Sequence, residues 1–244
     1  NSIYATAEVN YNSYWFINVT GRNDWSSALS QKNRSFFYPS VSTSLVISEL
    51  VEKNGGSLPN WLGFFKVRGS YAAVGNDLPS YRLYNVYNIG KDPNGNTTAS
   101  RNPVKYNSNI VSELIKTYEV GFDARLFNRL GIDFSYYKTN ATNQLISLPM
   151  NPQSGYSSEV INAGNIENKG IEIVLDANII KSENGFSWDS RVNFSRNINK
   201  IIALTDDVNT YPLGGFDNLA VRAVTGELYG NIYGTKYQRV TDEN

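Results

Sequence analysis

The chain has 244 residues, 22 of them basic and 22 acidic, so its formal net charge at pH 7 is zero. This balance argues against a nucleic-acid binder, which usually carries a basic excess. Cysteine and histidine are both absent from the sequence, which excludes disulfides, thiolate nucleophiles, histidine metal ligands and a Ser-His-Asp triad.

Aromatic residues make up 13% of the chain. Tyr and Trp suit a membrane–water boundary because each has an apolar body and a polar tip, although β-rich proteins in general are also rich in Tyr. No stretch approaches the roughly 18–20 apolar residues of a spanning helix. The first residues do not resemble a signal peptide, so we expect a mature chain or one cut from a longer protein.

Alternation with a period of two residues is the main pattern in the first part of the chain. A first strand is expected near residues 3–9. In the second, Trp15, Ile17 and Val19 share one face. The third runs over residues 41–47 and the fourth over residues 65–73, each with apolar side chains on one face and polar side chains on the other.

The middle of the chain shows the same pattern most clearly. Residues 118–126 and 130–136 alternate on either side of a tight turn at Asn128-Arg129. Residues 171–179 and 186–194 alternate around a second turn that includes Glu183-Asn184-Gly185. With a last strand near residues 228–237, the sequence predicts about nine or ten strands, and no segment shows a convincing helical spacing.

The connections between these strands alternate in length. Short joints are predicted near Asn12-Ser13, at residues 127–129 and at residues 182–185. Long polar loops are predicted at residues 23–38, 76–112, 142–162 and 204–227. An outer-membrane barrel has short periplasmic turns and long extracellular loops, whereas a soluble sandwich has no physical reason to place its long loops at one end.

The fold class predicted from these features is all-β, a segment of an antiparallel transmembrane β-barrel. The predicted strands exceed the usual ~5–6 residues and reach the ~9–11 residues that cross a bilayer on a tilt. The polar faces carry both charge signs, as expected of a barrel interior. The predicted lumen-facing residues are Lys66, Arg68, Glu119, Asp123, Arg125 and Asp133.

Carboxylates are the remaining acid–base candidates. Glu119 and Asp123 share one strand face and could form the carboxylate pair of a glycoside hydrolase, but a ladder of lumen charges is favoured. Asp206-Asp207 and Asp242-Glu243 could bind calcium through oxygen ligands, yet neither has EF-hand spacing, so solvated loop charges are favoured there. We therefore predict no catalytic residue, no metal site and no cofactor.

Two further features concern glycines and loop aromatics. Gly226, Gly230 and Gly234 recur every four residues and are expected in a barrel strand, where they leave room for aromatic rings. Flat aromatic side chains in or beside long loops can stack on sugars or peptide side chains, although an aromatic girdle or packing between loops is favoured for any single residue. The candidate ligand contacts are Trp25, Tyr81, Tyr84 and Tyr87.

Several stretches, in order along the chain, resemble the SusC/RagA-like TonB-dependent outer-membrane transporters of Bacteroidetes. They are VTGRNDWSS at 19–27, FYPSVS at 37–42, KVRGSYAAVGND at 66–77, YEVGFD at 118–123, DFSYYK at 133–138, NAGNIENKGIE at 162–172 and NFSRN at 193–197. Any one of these stretches is weak, but the ordered set is specific and covers most of the chain.

This resemblance implies part of a 22-stranded barrel with a plugged lumen, which imports oligosaccharides or peptides. It implies a SusD-like surface lipoprotein and the TonB complex as partners, and lipid around the barrel. The plug, the TonB box and the C-terminal strands have no counterpart in the sequence, so residues 1–244 are expected to be a partial barrel domain with no enzymatic activity. The alternatives are a self-contained small porin or enzyme and a soluble carbohydrate-binding β-sandwich.

Overall fold

The structure, a computed structural model, describes residues 1–182, 185–205 and 208–237. Strands dominate it, with one α-helix and one 3-10 helix at Pro152–Ser154. The elements in chain order are β1 (Ser2–Tyr11), β2 (Trp15–Trp25), β3 (Ser35–Val46), α1 (Ile47–Lys53), β4 (Leu62–Asn76), β5 (Tyr87–Lys91), β6 (Thr97–Arg101), β7 (Val104–Lys105), β8 (Glu113–Leu126), β9 (Leu130–Pro149), β10 (Ser158–Ile180), β11 (Trp188–Ala203), β12 (Thr210–Phe216), β13 (Leu219–Val224) and β14 (Asn231–Gly234).

Eight long strands form one antiparallel meander in the order β1-β2-β3-β4-β8-β9-β10-β11. The short strand β7 adds a parallel pairing to β10. Strands β5 and β6 form a separate hairpin, and β12, β13 and β14 form a separate three-stranded sheet. The end strands β1 and β11 do not pair with each other, so the sheet is an open section of a barrel wall, as the sequence predicted.

The strand register places the apolar residues on one continuous face. One row across the sheet runs through Tyr11, Trp15, Leu45, Val67, Phe122, Phe134, Ile173 and Phe194. The next row towards the long loops runs through Val9, Ile17, Thr43, Gly69, Val120, Tyr136, Ile171 and Arg196. Because the side-chain period of a strand is two residues, this register brings the apolar halves of all eight strands to the same side.

No second sheet covers this apolar face among the described residues. Val9, Val120 and Phe194 keep 57%, 56% and 51% of their surface exposed, although Val120 and Phe194 occupy the middle of long strands. A sandwich would bury such side chains against a partner sheet. The β-sandwich alternative is therefore wrong. The apolar face remains available for contact with an apolar environment outside this sheet.

The apolar face approaches the height of the apolar band of outer-membrane barrels, which is about 25 Å. On β8 it extends from Tyr118 to Leu126, which corresponds to about 27 Å along the strand and roughly 20 Å along the normal at the usual barrel tilt. Aromatic residues lie at both limits. The Tyr71 and Tyr118 rings are 4.9 Å apart on the loop side, and the exposed Trp61 and Phe127 lie on the turn side.

The connections alternate from side to side but differ in detail from the predicted lengths. The 142–162 segment is mostly strand, because β9 continues to Pro149 and β10 begins at Ser158. Both strands therefore extend past the apolar face on the loop side, and they account for much of the segment that was predicted as loop. On the turn side, the β3–β4 connection spans residues 47–61 and contains α1, so this turn is not short.

Other predicted elements are also corrected. Ile47 begins α1 instead of ending a strand. The 76–112 loop contains the β5–β6 hairpin, and the 204–227 loop contains β12 and β13. The predicted last strand is reduced to β14, which pairs with β13 and not with the main sheet. Among the described residues, no helix is long and apolar enough to cross a membrane.

The predicted role of the three late glycines is also partly wrong. Gly226 and Gly230 have φ values of 87° and 81°, a left-handed conformation that glycine adopts without strain, so they shape turns instead of lying in a barrel strand. Gly234 does lie in a strand, β14. The turn residues Glu183 and Asn184 lie outside the described residues, as do the acidic pairs Asp206-Asp207 and Asp242-Glu243, for which solvated loop charges were favoured over calcium binding.

Candidate functional site

The candidate site is the polar face of the main sheet, opposite the apolar face. Its centre is the guanidinium of Arg68 on β4, which donates to Asp123 on β8 at 3.0 Å and to Asp133 on β9 at 2.8 Å. Lys66 also contacts Asp123, at 2.8 Å, and the Arg68 Nε lies 3.8 Å from the Glu119 carboxylate. Five of the six predicted lumen residues thus form one ion network.

The sixth predicted residue, Arg125, lies on the same face but nearer the turns. It is paired with Phe64 and Gly131 in the register, and it lines a hollow of about 690 Å³ together with Asp133 and Asp176. Arg191 binds Asp176 at 2.5 Å, which continues the alternation of charges onto β10 and β11. The charged face therefore follows the sheet across five strands, from β4 to β11.

Two members of this network were not predicted from the sequence. The buried Ser135 accepts a hydrogen bond from the Arg68 guanidinium at 2.6 Å. Gly121 lies between Arg68 and Ser135 in the register, and a Cβ on it would lie 3.0 Å from Arg68 Cζ. The absence of a side chain at Gly121 lets the guanidinium cross β8. A glycine on the polar face of an otherwise regular strand is the sequence pattern that could have indicated this.

Further along the polar face, another glycine makes room for the side chain of a tyrosine on the neighbouring strand. A Cβ on Gly170 of β10 would lie 2.6 Å from the hydroxyl of Tyr137 on β9. Gly75 on β4 provides equivalent space for the ring of Phe36, whose nearest carbon would lie at 2.9 Å. The glycine–aromatic packing expected near the C-terminus is therefore present, but at other positions of the chain.

Next to the ion network, the polar face carries a hollow of about 720 Å³. It spans β1 to β4 and β8, and its lining combines carboxylates, amides, hydroxyls and one aromatic ring. The side chains from the polar face that line it are Glu8, Asn10, Phe16, Asn18, Ser42, Ser44, Arg68, Ser70 and Glu119. Such a surface offers hydrogen-bond donors and acceptors to a polar solute without an oriented nucleophile.

The carboxylates Glu119 and Asp123 have a structural role in this arrangement. Asp123 is held by both Lys66 and Arg68, so its oxygens are already engaged by cations. Within the described ranges, no three or more acidic side chains gather as metal ligands would. The arrangement matches the predicted ladder of charges better than a hydrolytic pair, whose acid and nucleophile must face a substrate between them.

The loops on the long side form an ordered layer above the sheet. Leu29, Leu78, Leu83 and Ile110 build a small buried core from two separate loops, with Leu145 of β9 packed against it. The Asn33 amide donates to the carbonyls of Asn109 and Ile110, both at 3.1 Å. These contacts join residues 26–34 to residues 77–112 and give the loop layer a fixed shape.

One strand residue anchors the loop layer to the wall. The Asn162 side chain on β10 accepts from Val111 N at 2.8 Å and donates to Val111 O at 2.9 Å. The same amide also donates to Asn143 O at 2.8 Å. Asn162 thereby satisfies backbone groups of both a loop and a neighbouring strand.

The predicted aromatic contacts are dispersed over this layer. Tyr81 has φ 63° and is 95% exposed, and Tyr84 and Tyr87 are also exposed in the same long connection. Trp25 ends β2 and pairs with Ser35, on the same strand face as Trp15 and Val19. The structure therefore does not bring Trp25 to the polar face with the ion network.

Comparison with known proteins gives a consistent result. The family model described as TonB dependent receptor-like, beta-barrel, matches residues 1–242. TonB-dependent receptor P3 of Formosa agariphila is 31% identical over 253 residues, covering 98% of this chain and 24% of the relative. TonB-dependent receptor P39 of the same organism is 29% identical, covering 97% and 22%. The chain thus spans about a quarter of the length of the curated relatives it matches.

Solved structures show the same architecture. The RagAB peptide transporter superimposes with a TM-score of 0.80 at 24% identity, covering 94% of this chain and 24% of that chain. The RagAB peptide importer in its closed-closed state gives a TM-score of 0.79 at 23% identity, covering 92% and 24%. At this level of identity the similarity establishes the fold of the open sheet.

Proposed function

Because this chain belongs to the TonB-dependent receptor-like β-barrel family, we propose that it forms part of the wall of an outer-membrane nutrient importer. TonB-dependent receptors are transporters and not enzymes, so the wall contributes shape and charge, without covalent chemistry. The observation that carries this proposal is the register, which places apolar side chains on one face of eight strands and an ion network on the other.

The two faces then have different surroundings. The exposed apolar face would contact the hydrocarbon core of the bilayer. Strands cross such a core only as part of a closed barrel, in which all backbone hydrogen bonds are satisfied. The six charged residues predicted at the lumen, with the adjoining hollow, would border the transport path. The loop layer, including Tyr81, Tyr84 and Tyr87, would lie on the cell surface. Because Trp25 lies on the apolar strand face, we place it at the membrane boundary.

We further propose that residues 1–244 are a section of the barrel domain of a longer SusC/RagA-like protein of 22 strands. Eight long strands that do not close support this proposal, as does the quarter-length coverage of the relatives. The plug and the TonB-contacting segment would belong to other parts of that protein. A SusD-like surface lipoprotein and the TonB complex would be its partners, as the family resemblance implies.

The imported solute is proposed to be an oligosaccharide or a peptide. The lining of the 720 Å³ hollow supports a polar solute, because it mixes amides, hydroxyls and both charge signs. A self-contained porin is less well supported, because its end strands would need to pair and β1 and β11 do not. Uptake that continues unchanged in cells lacking TonB would contradict energised import by the longer protein.

Single cysteines can test which face borders water, since this chain contributes no cysteine of its own. In the longer protein in whole cells, Ser70→Cys is expected to react with a charged, membrane-impermeant maleimide, because Ser70 lines the hollow. Val120→Cys, one register step away on β8 and on the apolar face, is the matched control and should not react until detergent is added. Equal reaction of both positions in intact membranes would overturn the proposed placement.

A further inference from the structure

A strip of basic side chains lies on the apolar face of the sheet, at its limit towards the long loops. In the register, Tyr118 pairs with Lys138 and Lys138 pairs with Lys169. One step nearer the loops, Lys116 pairs with Asn140, Asn140 with Glu167, and Glu167 with Lys200. The basic patch consists of Lys116, Lys138, Lys169, Arg196 and Lys200, with Glu167 among them.

The basic patch carries more positive charge than its own acid can neutralise. Glu167 is nearly buried between two lysines, with Lys138 Nζ at 2.8 Å and Lys169 Nζ at 3.4 Å. Directly opposed like charges destabilise a sheet, and here Lys138 and Lys169 are direct partners. Five cations face one carboxylate, which leaves an excess of about four positive charges at pH 7 on four adjacent strands.

This charge is confined to one sector of the wall. At the level of Lys116, the partner on β4 is Ala73. Extending the β3–β4 register one residue beyond its last pair, Ser40 with Ala72, leads to Pro39, Gly21 and Ala5. At the level of Lys138, the register row contains Tyr71, Val41, Val19 and Ala7. Snorkelling lysines at a membrane boundary would need no such clustering. The cations are gathered over β8 to β11 only.

From this juxtaposition we propose that the basic patch binds the phosphate headgroup of an anionic lipid in the outer leaflet. This proposal rests on the membrane placement proposed above. Lys and Arg bind phosphates by charge and by hydrogen bonds, and clustered basic residues at a membrane surface attract anionic lipids. Directly below the patch, Val120, Phe134 and Ile173 provide an apolar surface for the acyl chains.

An amphiphile fits these two surfaces better than a free anion does. The headgroup would contact Lys138, Lys169 and Arg196, while its chains would pack beside Tyr136 and Phe194, the partners of Ile171 and Ile173 on the neighbouring strands. The exposed tyrosines Tyr118 and Tyr136 would lie at the boundary between the two parts. Inorganic phosphate would gain only the charged contacts.

The test uses the longer barrel, purified in detergent and examined by native mass spectrometry with added lipid A, either phosphorylated or dephosphorylated. We expect preferential retention of the phosphorylated form. The double substitution Lys138→Gln with Lys169→Gln should weaken that retention by about tenfold or more, since each lysine near an anionic surface contributes a factor of roughly five. Glu167→Gln should preserve or strengthen it, because it removes the patch's only carboxylate.

The matched control is Lys32→Gln with Lys91→Gln, which removes two exposed lysines of the loop layer and should leave retention unchanged. Equal retention of both lipid forms, an equal loss in the control, or complete displacement of the lipid by excess inorganic phosphate would each overturn the proposal. The maleimide experiment at Ser70 and Val120 separates this outcome from a failure of the membrane placement, because it does not depend on the patch.

Discussion

Arg68 on β4 and Asp133 on β9 are joined at 2.8 Å although a whole strand, β8, runs between them. The contact is possible because the residue of β8 that pairs with Arg68 is Gly121. The guanidinium passes over this glycine to reach Asp133 and Ser135. Three strands of the wall are therefore tied together by one side chain.

Gly121→Val is expected to destabilise the barrel by about 1–3 kcal/mol, as overpacking of a well-packed site does. A Cβ at this position would lie 2.5 Å from the Phe134 carbonyl oxygen and would obstruct the Arg68 guanidinium. The measurement is the temperature at which the folded barrel loses its shifted mobility on an SDS gel. Gly69→Ala is the matched control, because its new Cβ would meet nothing nearer than 3.8 Å. Equal shifts in the two variants would contradict this account.

The Arg68–Asp133 pair should show a coupling free energy of about 1 kcal/mol in a double-mutant cycle. Arg68→Gln, Asp133→Asn and the double variant would be compared by urea unfolding of the barrel in detergent. The value is modest because both side chains remain partly exposed, at 26% and 47%. Lys66 and Asp133 lie on either side of Asp123 in the register but are not ion-paired with each other in the described network, so the same cycle on them should give a smaller coupling. A coupling near zero for Arg68–Asp133 would show that the bridge is incidental.

Much of the wall could be predicted from the sequence, because tight turns and the alternation of side chains along a strand depend on residues that are close together in the chain. The tight turn after Leu126 fixes the pairing of β8 with β9, and alternation then assigns each side chain to a face. The ladder of charges follows from the same rule, since Lys66 and Asp123 fall on equivalent faces of adjacent strands. Within this ladder, the crossing of β8 by Arg68 was not predicted, although Gly121 on the polar face is the signal that could have indicated it.

The loop layer and the small helix were less predictable, for two different reasons. The contact of Asn162 with Val111 joins residues 51 positions apart, and no short-range pattern encodes it. For α1, a helical pattern is present in the sequence but is ambiguous. Ile47, Leu50 and Val51 have the i, i+3, i+4 spacing of a helix face, yet Ile47 also continues the alternation of β3.

Asn162→Ala should loosen the loop layer without opening the wall. It removes three hydrogen bonds to backbone groups. The free energy that holds the loop layer against the wall is expected to fall by about 2 kcal/mol. Limited proteolysis of whole cells should then cut within residues 77–112 faster than in the unmodified protein, while heat modifiability of the barrel is retained. Asn88→Ala, at an exposed position of β5, should leave the cleavage rate unchanged. Unaltered cleavage of the Asn162 variant would show that other contacts hold this loop.

The turn between β5 and β6 should lose order in acid. Hydrogen bonds from the Asn96 side chain and backbone, followed by the amides of Asn94 and Gly95, hold the pKa of the Asp92 carboxyl below its usual value of 3.8. Because the folded-state pKa is lowered, the stabilisation is present above the unfolded-state pKa and is lost as the pH falls through the folded-state one. Amide hydrogen exchange at Asn94 and Asn96, corrected for intrinsic rates, should therefore accelerate once the pH drops below about 4.

Asp92→Asn provides the control for this acid effect. Its amide oxygen can still accept from the turn amides, which lie at 2.9 Å and 2.8 Å from Asp92 Oδ1, but it does not titrate in this range. Protection in this variant should accordingly be independent of pH. If acid does not reduce the protection of the native turn at all, or if the variant loses protection over the same interval, then the carboxylate is not what orders the hairpin.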